Sequence, residues 1–408
     1  MTSNDLEASR TSRASRSVSD RRQRAWRYAP LALAAILAAI SLGARIAFRG
    51  VVTSDLEIFV LRWYAKFQQM GIGVGLGKDF YNYSPPYMYL VALSTLTSGF
   101  LSAVTAIKLI STAFDIYAAF MMYKIVRLRF PQGYRAHLAA AVLFAAPTVV
   151  ANTAIWGQAD STYLAFLLTC LYFVLVGRQW PALLFFSISF AFKPQAVFLL
   201  PLLVVLALRR MVPWITFVLI PAVYALAAWP AVALGRTWLE IVETYLSRPS
   251  AGKALTHNAA SAYVFAPQSA ISVLAGPGIL LAVLAVLAWV VFTWRRTERT
   301  DRSAILLLAL ISVTLTPFVL PNMHDRYFYP ADALSIALAF YLPELWFIPI
   351  LFQLISGLSY SIYLMSASAD NLILAAAVNL ITLMMLLAKQ ATLSRGSGPP
   401  VAQEPLKT

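Results

Sequence analysis

Side chains that could do chemistry are concentrated in a few short polar segments of an otherwise apolar chain. They are Asp55 with Glu57, the segment Trp156-Gly157-Gln158-Ala159-Asp160, Lys193, and His324 with Arg326. A carboxylate within hydrogen-bond reach of a hydroxyl can act as its general base, and Lys, Arg and His can bind phosphate oxygens. Together these residue types indicate a site in which a carboxylate activates a hydroxyl by accepting its proton, while cations bind an anionic group.

Asp55 precedes a segment, residues 56–70, whose apolar side chains recur at helical spacing. One face is apolar and the other charged, with Ile58, Leu61, Tyr64 and Ala65 set against Arg62 and Lys66. This pattern is typical of a helix lying on a membrane surface. Asp55 is therefore predicted to lie near lipid headgroups as a catalytic carboxylate, with Glu57 as a second candidate. The structural alternative is that Ser54 or Asp55 only caps the helix.

Aromatic and amide side chains supply candidate sugar contacts in two further segments. The turn Tyr83-Ser84-Pro85-Pro86-Tyr87 precedes a predicted helix and provides either one wall of a sugar or lipid-headgroup site or part of an aromatic belt. In the second segment, Trp156 offers a stacking face, and Gln158 and Asp160 offer paired hydrogen bonds to a sugar. The alternative for Asp160 is a cap on the next helix.

The cations of the chain have competing partners. Lys193, in Phe192-Lys193-Pro194-Gln195, interrupts a long apolar stretch, and a buried ammonium needs an anion to offset its desolvation. That anion is Asp160 or a bound phosphate, unless the side chain snorkels to the surface. His324 and Arg326 are predicted to bind phosphate, against the alternative of an internal Arg–Asp pair. His257 and Asn258 are further candidates for sugar or acceptor binding.

Motifs of other enzyme classes do not occur in the sequence. There is no Walker loop, His-Glu-x-x-His motif, serine elbow or zinc-ligand spacing, and the chain has three histidines and one cysteine, Cys170. The sequence therefore predicts no cofactor and no metal site. Asp55 and Glu57 could hold a hard divalent cation through oxygen ligands, but none is expected.

The composition is that of a membrane protein. Of the 408 residues, 60% are hydrophobic and 12% charged, with a mean hydropathy of +0.72, whereas soluble domains have about 25% charged residues. The formal net charge of +15 would suggest nucleic acid in a soluble protein, but here the basic residues lie between apolar runs. The sequence predicts an all-α polytopic membrane protein that does not bind nucleic acid.

The basic clusters predict the topology, since they favour the cytoplasmic side. Residues 1–27 and 391–408 are predicted to be disordered cytoplasmic tails that flank a membrane domain at 28–390 of about twelve helices. Residues 181–208 must cross an even number of times, so they are predicted to form two short helices that meet at Lys193-Pro194. All the polar segments then face outward, including two large loops at 49–102, with interfacial helices, and 235–266.

The motifs in this order resemble a known family. Asp55, Tyr83-x-Pro-Pro-Tyr87, Trp156-Gly-Gln-x-Asp160, Lys193-Pro-Gln195 and His324-Asp-Arg-Tyr327 resemble the GT-C fold of polyprenyl-phosphate-sugar-dependent glycosyltransferases, in the bacterial mannosyltransferase-like branch. The resemblance implies a GT-C bundle, a lipid-linked donor, inverting transfer and a catalytic acid in the first outward loop. The family often has two adjacent acids there, whereas here the second, Glu57, is one residue removed.

The predicted function follows from the residues and the resemblance together. It is transfer of a hexose, mannose by resemblance, from a polyprenyl phosphate to a hydroxyl of a glycan or lipid, on the outer face of a bacterial inner membrane. Asp55 is the expected base, and the expected donor-phosphate ligands are Lys193, His324 and Arg326. Two alternatives stay open at this point: a lipid-linked glycan polymerase or ligase, and a secondary transporter.

Overall fold

The computed structural model describes residues 29–246, 254–296 and 301–395, which are mostly helical. Residues 1–27, 247–253 of the second outward loop, and 396–408 lie outside the described residues. The helices are α1 (Ala29–Ala47), α2 (Arg62–Met70), α3 (Ile72–Leu76), α4 (Pro85–Ser94), α5 (Ala103–Arg127), α6 (Arg135–Ala145), α7 (Pro147–Val150), α8 (Asp160–Leu175), α9 (Gln179–Phe192), α10 (Leu200–Leu208), α11 (Leu219–Ala233), α12 (Trp238–Leu246), α13 (Ile271–Arg296), α14 (Arg302–Val319), α15 (Tyr329–Tyr341), α16 (Ile348–Met365) and α17 (Asp370–Arg395). Helix α17 continues to Arg395, past residue 391 at which the C-terminal tail was predicted to begin.

Long apolar helices dominate the described part of the chain. Seven are long and apolar enough to cross a membrane, in the ranges Ala29–Ala47, Ala103–Arg127, Trp214–Ala233, Gln268–Arg296, Arg302–Val319, Pro343–Met365 and Asp370–Leu393. An eighth span is formed if α6 and Pro147–Trp156, bent by 45°, count as one. The predicted all-α polytopic architecture is confirmed. The count of about twelve requires the shorter apolar helices α8, α9 and α10 to cross as well.

The break predicted at Lys193-Pro194 is present. Helix α9 ends at Phe192, and the backbone of the next residue, Lys193, is extended with φ −151° and ψ 130°. A 3₁₀ segment, Pro194–Leu199, leads into α10. Proline disfavours helical backbone in the residue before it, which explains the position of the break. Within a membrane protein, such non-helical backbone is tolerated where it lines a cavity or is buried in protein.

Burial divides the helices into a central and a peripheral set. Helices α8, α14 and α15 are buried on nearly all sides. Helices α11 and α13 instead expose large apolar side chains, such as Leu226 at 73% and Leu281 at 64%. Contiguous apolar surface of this kind is unfavourable in water, but it suits hydrocarbon, so these helices form the lipid-facing side of the bundle.

The segment 49–102, which keeps its predicted name of first outward loop, as 235–266 keeps that of second outward loop, packs differently from the prediction. The π-helical turn Leu56–Leu61 and α2 bury Leu56, Trp63, Tyr64 and Phe67, whereas Ile58 is 46% exposed. The predicted apolar face is therefore correct at Tyr64 and wrong at Ile58 and Ala65, which are exposed. The large aromatic side chains bury more area than Ile58 or Ala65 would, and they pack into a cluster with Leu76, Tyr81, Tyr87 and Met88.

A short parallel pairing joins the second outward loop to the His324 segment. Strand β1 (Thr256–His257) pairs with β2 (Met323–His324), with His257 opposite His324. The two imidazole rings stack with centroids 4.6 Å apart. Two polar segments that are distant in sequence are thereby fixed next to each other.

Gly77 lies where the first outward loop contacts the segment after α11. A β-carbon at this position would lie 1.9 Å from the carbonyl oxygen of Leu234, whereas one at Gly73 would meet nothing within 4 Å. We therefore expect Gly77→Ala to lower the free energy of unfolding by about 1–3 kcal/mol. Gly73→Ala, the matched control within α3, should be neutral or stabilise by about 0.5–1 kcal/mol.

Unfolding can be followed in detergent with a thiol-reactive dye, because the single cysteine, Cys170, is buried. Equal unfolding temperatures for the two variants would show that the contact between Gly77 and Leu234 does not contribute to stability.

Candidate active site

Most of the residues singled out in the sequence line one cavity. Its volume is about 590 Å³. The predicted residues in its wall are Asp55, Tyr83, Tyr87, Trp156, Gln158, Lys193, His257, Asn258, His324 and Arg326. The structure thus brings together segments from both large outward loops and from three helix connections.

Asp55 faces this cavity and does not cap a helix. Its side chain makes no capping hydrogen bond; instead Trp156 Nε1 and Gln158 Nε2 each donate to Asp55 Oδ2 at 3.1 Å. Arg326 Nη1 lies 3.9 Å from the same oxygen. The carboxylate is oriented by these groups through Oδ2, and its Oδ1 has no hydrogen-bond partner among the described residues.

Glu57 does not belong to this group. Its side chain is exposed and does not line the cavity. Residues two positions apart on a helix do not face each other, so the carboxylates of Asp55 and Glu57 point to different sides. The prediction that places Glu57 in the site is therefore wrong.

One threonine hydroxyl and one tyrosine hydroxyl fix the backbone at Asp55. Thr53 Oγ1 donates to the carbonyl oxygen of Trp156 at 2.9 Å, and the backbone N–H of Asp55 donates to the hydroxyl of Tyr363 at 2.8 Å. The Tyr363 ring stacks on Trp156 with centroids 4.5 Å apart. Tyr363 lies near the end of α16, and nothing in its apolar sequence context pointed to the site.

Asp160 binds cations and is too buried to hold a sugar. Its side chain is fully buried; Lys193 Nζ donates to Oδ1, Asn152 Nδ2 donates to Oδ2 at 3.0 Å, and Arg326 Nε lies 3.6 Å from Oδ2. It makes no capping hydrogen bond at the start of α8. The predicted sugar contact and the predicted cap are both wrong, because protein partners occupy both oxygens.

Lys193 and Arg326 differ in how closely their charged groups are bound by carboxylates of the protein. Lys193 is 5% exposed and forms a direct ion pair with Asp160. Arg326 lies 3.6 to 3.9 Å from Asp55, Asp160 and Asp325, which is beyond ordinary hydrogen-bond distance. Its guanidinium therefore makes no side-chain hydrogen bond with the described residues, and its donors stay available at the cavity wall.

Several residues of the cavity wall were not predicted. They are Asp79, Gln195, Glu240, Glu243, Asp325 and Tyr363. Burial raises the pKa of Asp325 to about 7, although Arg326 opposes this shift. Asp79 forms an ion pair with the buried Arg236, which ties the two large outward loops together at the cavity mouth. The acids of the outward loops were visible in the sequence, but their positions depend on long-range contacts.

Polar side chains on one face of helix α5 bind the segments that form the site. Lys108 Nζ donates to the carbonyl oxygens of Phe48 at 2.8 Å and Val51 at 2.6 Å, next to Asp55 in sequence. Ser111 Oγ donates to the carbonyl oxygen of Gln158 at 2.8 Å. Asp115 accepts from Thr153 at 2.6 Å and from Arg45 at 2.8 Å. Residues at this spacing lie on one side of a helix, so one rigid element positions the two segments that hold and contact Asp55.

Comparison with known proteins identifies the fold. No family model matches the sequence, and no curated protein is similar enough to match. Among solved structures, the chain is similar to the crystal structure of ArnT from Cupriavidus metallidurans bound to undecaprenyl phosphate, with a TM-score of 0.54 and 15% identity over 91% of this chain and 78% of that one.

The chain has a GT-C fold. This confirms the fold class that the sequence motifs implied, and a GT-C bundle with apolar helices of this length is an integral membrane protein. In this GT-C fold the cavity described above is bordered by the first outward loop and by the turns that follow α7, α9 and α14. At 15% identity the similarity concerns the fold alone.

Asp55 and Asp160, two of the carboxylates that approach Arg326, are expected to differ in their importance for stability. Asp160→Asn leaves Lys193 without its buried anion, which costs about 3–5 kcal/mol in comparable buried pairs. Asp55→Asn changes a side chain that is 32% exposed, and we expect a loss below about 1 kcal/mol. Thermal unfolding monitored through Cys170 compares both variants with the wild type. A stability loss at Asp55 equal to that at Asp160 would contradict this division.

Proposed function

We propose that this protein is an inverting glycosyltransferase of the outer face of a bacterial inner membrane, with both termini in the cytoplasm. It transfers a hexose, mannose by resemblance, from a polyprenyl-phosphate donor to a hydroxyl of a glycan or lipid acceptor. The observation that carries the proposal is the approach of Asp55 to Arg326, 3.9 Å apart in one cavity. The fold supports it, since the similar ArnT structure is bound to undecaprenyl phosphate.

Asp55 is the base in this proposal. The hydroxyl of the acceptor gives its proton to Asp55 Oδ1, and its oxygen forms a bond to the anomeric carbon on the face opposite the donor phosphate. A positioned base contributes when it lies within hydrogen-bond reach of that proton. Trp156 and Gln158 donate to Oδ2, so they orient the carboxylate and leave Oδ1 toward the acceptor.

The phosphate leaves with the electron pair of the broken bond between the anomeric carbon and oxygen. Cations fixed where this charge grows stabilise the transition state more than the ground state. Arg326 is the principal candidate, because its donors are uncommitted and a guanidinium can bind phosphate through two hydrogen bonds. Lys193 adds charge while it holds Asp160, and His324, stacked on His257, borders the same region of the cavity.

The remaining lining residues suit a sugar. Trp156, Tyr83 and Tyr87 provide aromatic walls, and the outer part of the cavity adds the polar side chains of Asn258 and Asn82. The polyprenyl chain stays in the bilayer beside the apolar helices. The acceptor enters from the cavity mouth between the two outward loops.

The role of Asp55 is tested by transfer from a labelled polyprenyl-phosphate hexose in proteoliposomes. The acceptors are lipids and glycans extracted from the source cells. Asp55→Asn should lower the rate by about 10²- to 10⁴-fold, the usual contribution of a general base. Glu57→Gln is the matched control, because it makes the same carboxylate-to-amide change outside the cavity and should leave the rate unchanged.

Full activity of Asp55→Asn would exclude it as the base. A product ladder of repeating units would favour a polymerase, and counterflow of a free labelled solute would favour a transporter.

The role of Arg326 is tested by its conservative variant. Arg326→Lys keeps the charge but loses the planar pair of donors, so we expect kcat/KM for the donor to fall about 10²- to 10³-fold, as when a transition-state donor is removed. Its unfolding temperature should change less than that of Asp160→Asn. Arg62→Lys on the exposed face of α2 is the matched control. A donor kcat/KM within twofold of wild type would assign Arg326 a purely structural role.

A further inference from the structure

Three buried polar atoms of cavity-lining residues have no hydrogen-bond partner among the described residues. One is Nε of Arg326, discussed above, and the other two are the hydroxyl of Tyr87 and Oε1 of Gln195. Tyr87 and Gln195 are only 1% and 4% exposed. Buried polar groups in folded proteins are nearly always hydrogen-bonded, so each exception requires an explanation. Because both side chains border the cavity, a ligand bound there can provide the missing partners.

Gln195 is close to Lys193 in sequence, and Tyr87 is linked to Lys193 through Tyr83. Gln195 follows the lysine by two positions in the 3₁₀ segment, and the ammonium of Lys193 lies 5.5 Å from the ring centroid of Tyr83. The Tyr83 ring is in turn 5.1 Å from that of Tyr87. Ser84 Oγ donates to the carbonyl oxygen of Phe192, which fixes the tyrosine turn against the end of α9. The two unpartnered groups therefore belong to one corner of the cavity.

The chemistry of the two groups restricts the ligand. The Oε1 atom of Gln195 can only accept a hydrogen bond, whereas a tyrosine hydroxyl can donate or accept. Burial raises the pKa of Tyr87 well above its usual value, so the phenol keeps its proton. A ligand hydroxyl both donates and accepts, and can satisfy either group. Neither Tyr87 nor Gln195 carries a charge that would pair with a phosphate.

We propose that Tyr87 and Gln195 form a subsite that recognises hydroxyl groups of the transferred sugar. This inference rests on the proposed function, in which the donor phosphate lies beside Arg326 and Lys193 and the sugar attached to it reaches this corner. The substrate class is a neutral sugar with free hydroxyl groups on the side that faces Tyr87 and Gln195. A deoxy sugar that lacks one of these hydroxyls leaves a buried group unpaired and is rejected.

The test uses two variants and a matched control in the reconstituted full-length protein. Tyr87→Phe and Gln195→Leu remove the unpartnered atoms with little change in volume. Tyr81→Phe is the control, because Tyr81 lines the same cavity but its hydroxyl donates to the carbonyl oxygen of Leu76 at 3.0 Å. The donors are a polyprenyl-phosphate hexose and its series of monodeoxy analogues, and the readouts are kcat/KM and the unfolding temperature without ligand.

We expect Tyr87→Phe and Gln195→Leu to keep or raise the unfolding temperature, because no hydrogen bond is lost in the free protein. Their kcat/KM for the hexose should fall roughly 10- to 100-fold, the effect of one lost buried hydrogen bond. Each should also lose discrimination against one deoxy donor. Tyr81→Phe should lower the unfolding temperature and keep the discrimination of the wild type.

Three results would overturn the subsite. The first is unchanged discrimination in both variants, and the second is a loss of stability like that of Tyr81→Phe, which would indicate a structural role. The third is loss of discrimination among deoxy acceptors in place of deoxy donors. Absence of any transfer by the wild type would overturn the proposed function and the subsite with it, so the two failures are distinguishable.

Discussion

The buried carboxylate of Asp160 is the constraint on which the arrangement of the cavity depends. It is fully buried and has an ammonium, a side-chain amide and a guanidinium around it. A charge buried in a low-dielectric interior is very unfavourable unless its partners are close. The turn after α7, the break after α9 and the turn after α14 must therefore meet at this point for the fold to be stable, and their meeting forms one wall of the cavity.

Several irregular stretches of backbone lie around this point. The backbone of Lys193 is extended, and Gly157 and Asn322 have positive φ. One π-helical turn ends at Trp156 and another follows Asp55. Departures from helix leave backbone groups that need partners other than lipid. Helix α5 provides some of these partners through Lys108 and Ser111. The regular helices form the frame, and the irregular turns present side chains that a straight helix could not direct into one cavity.

The sequence predicted the fold and the convergence for a physical reason. It offered Asp160 as one of two anions for Lys193, but it did not decide the pairing. Charges in apolar segments cannot face hydrocarbon, so Asp160, Lys193 and Arg326 had to lie in the protein interior. Which atoms they bind depends on distances between segments that periodicity does not contain. Asp160 was therefore assigned a sugar when it holds cations, Glu57 was placed in the site although a helix turns it away, and Tyr363 was missed among apolar neighbours.

Whether a polar group has a protein partner separates residues that hold the cavity together from those that face a ligand. Asp160, Lys193 and Asp115 have their charges met by protein partners, as a buried structural network requires. Asp55 Oδ1, the guanidinium of Arg326, the hydroxyl of Tyr87 and Oε1 of Gln195 lack hydrogen-bond partners among the described residues. Residues of both groups have similar sequence contexts, so only the three-dimensional contacts distinguish them. The second group borders one continuous space. That space suits an acceptor hydroxyl that gives its proton to a carboxylate, together with a donor that has an anionic leaving group and free sugar hydroxyls.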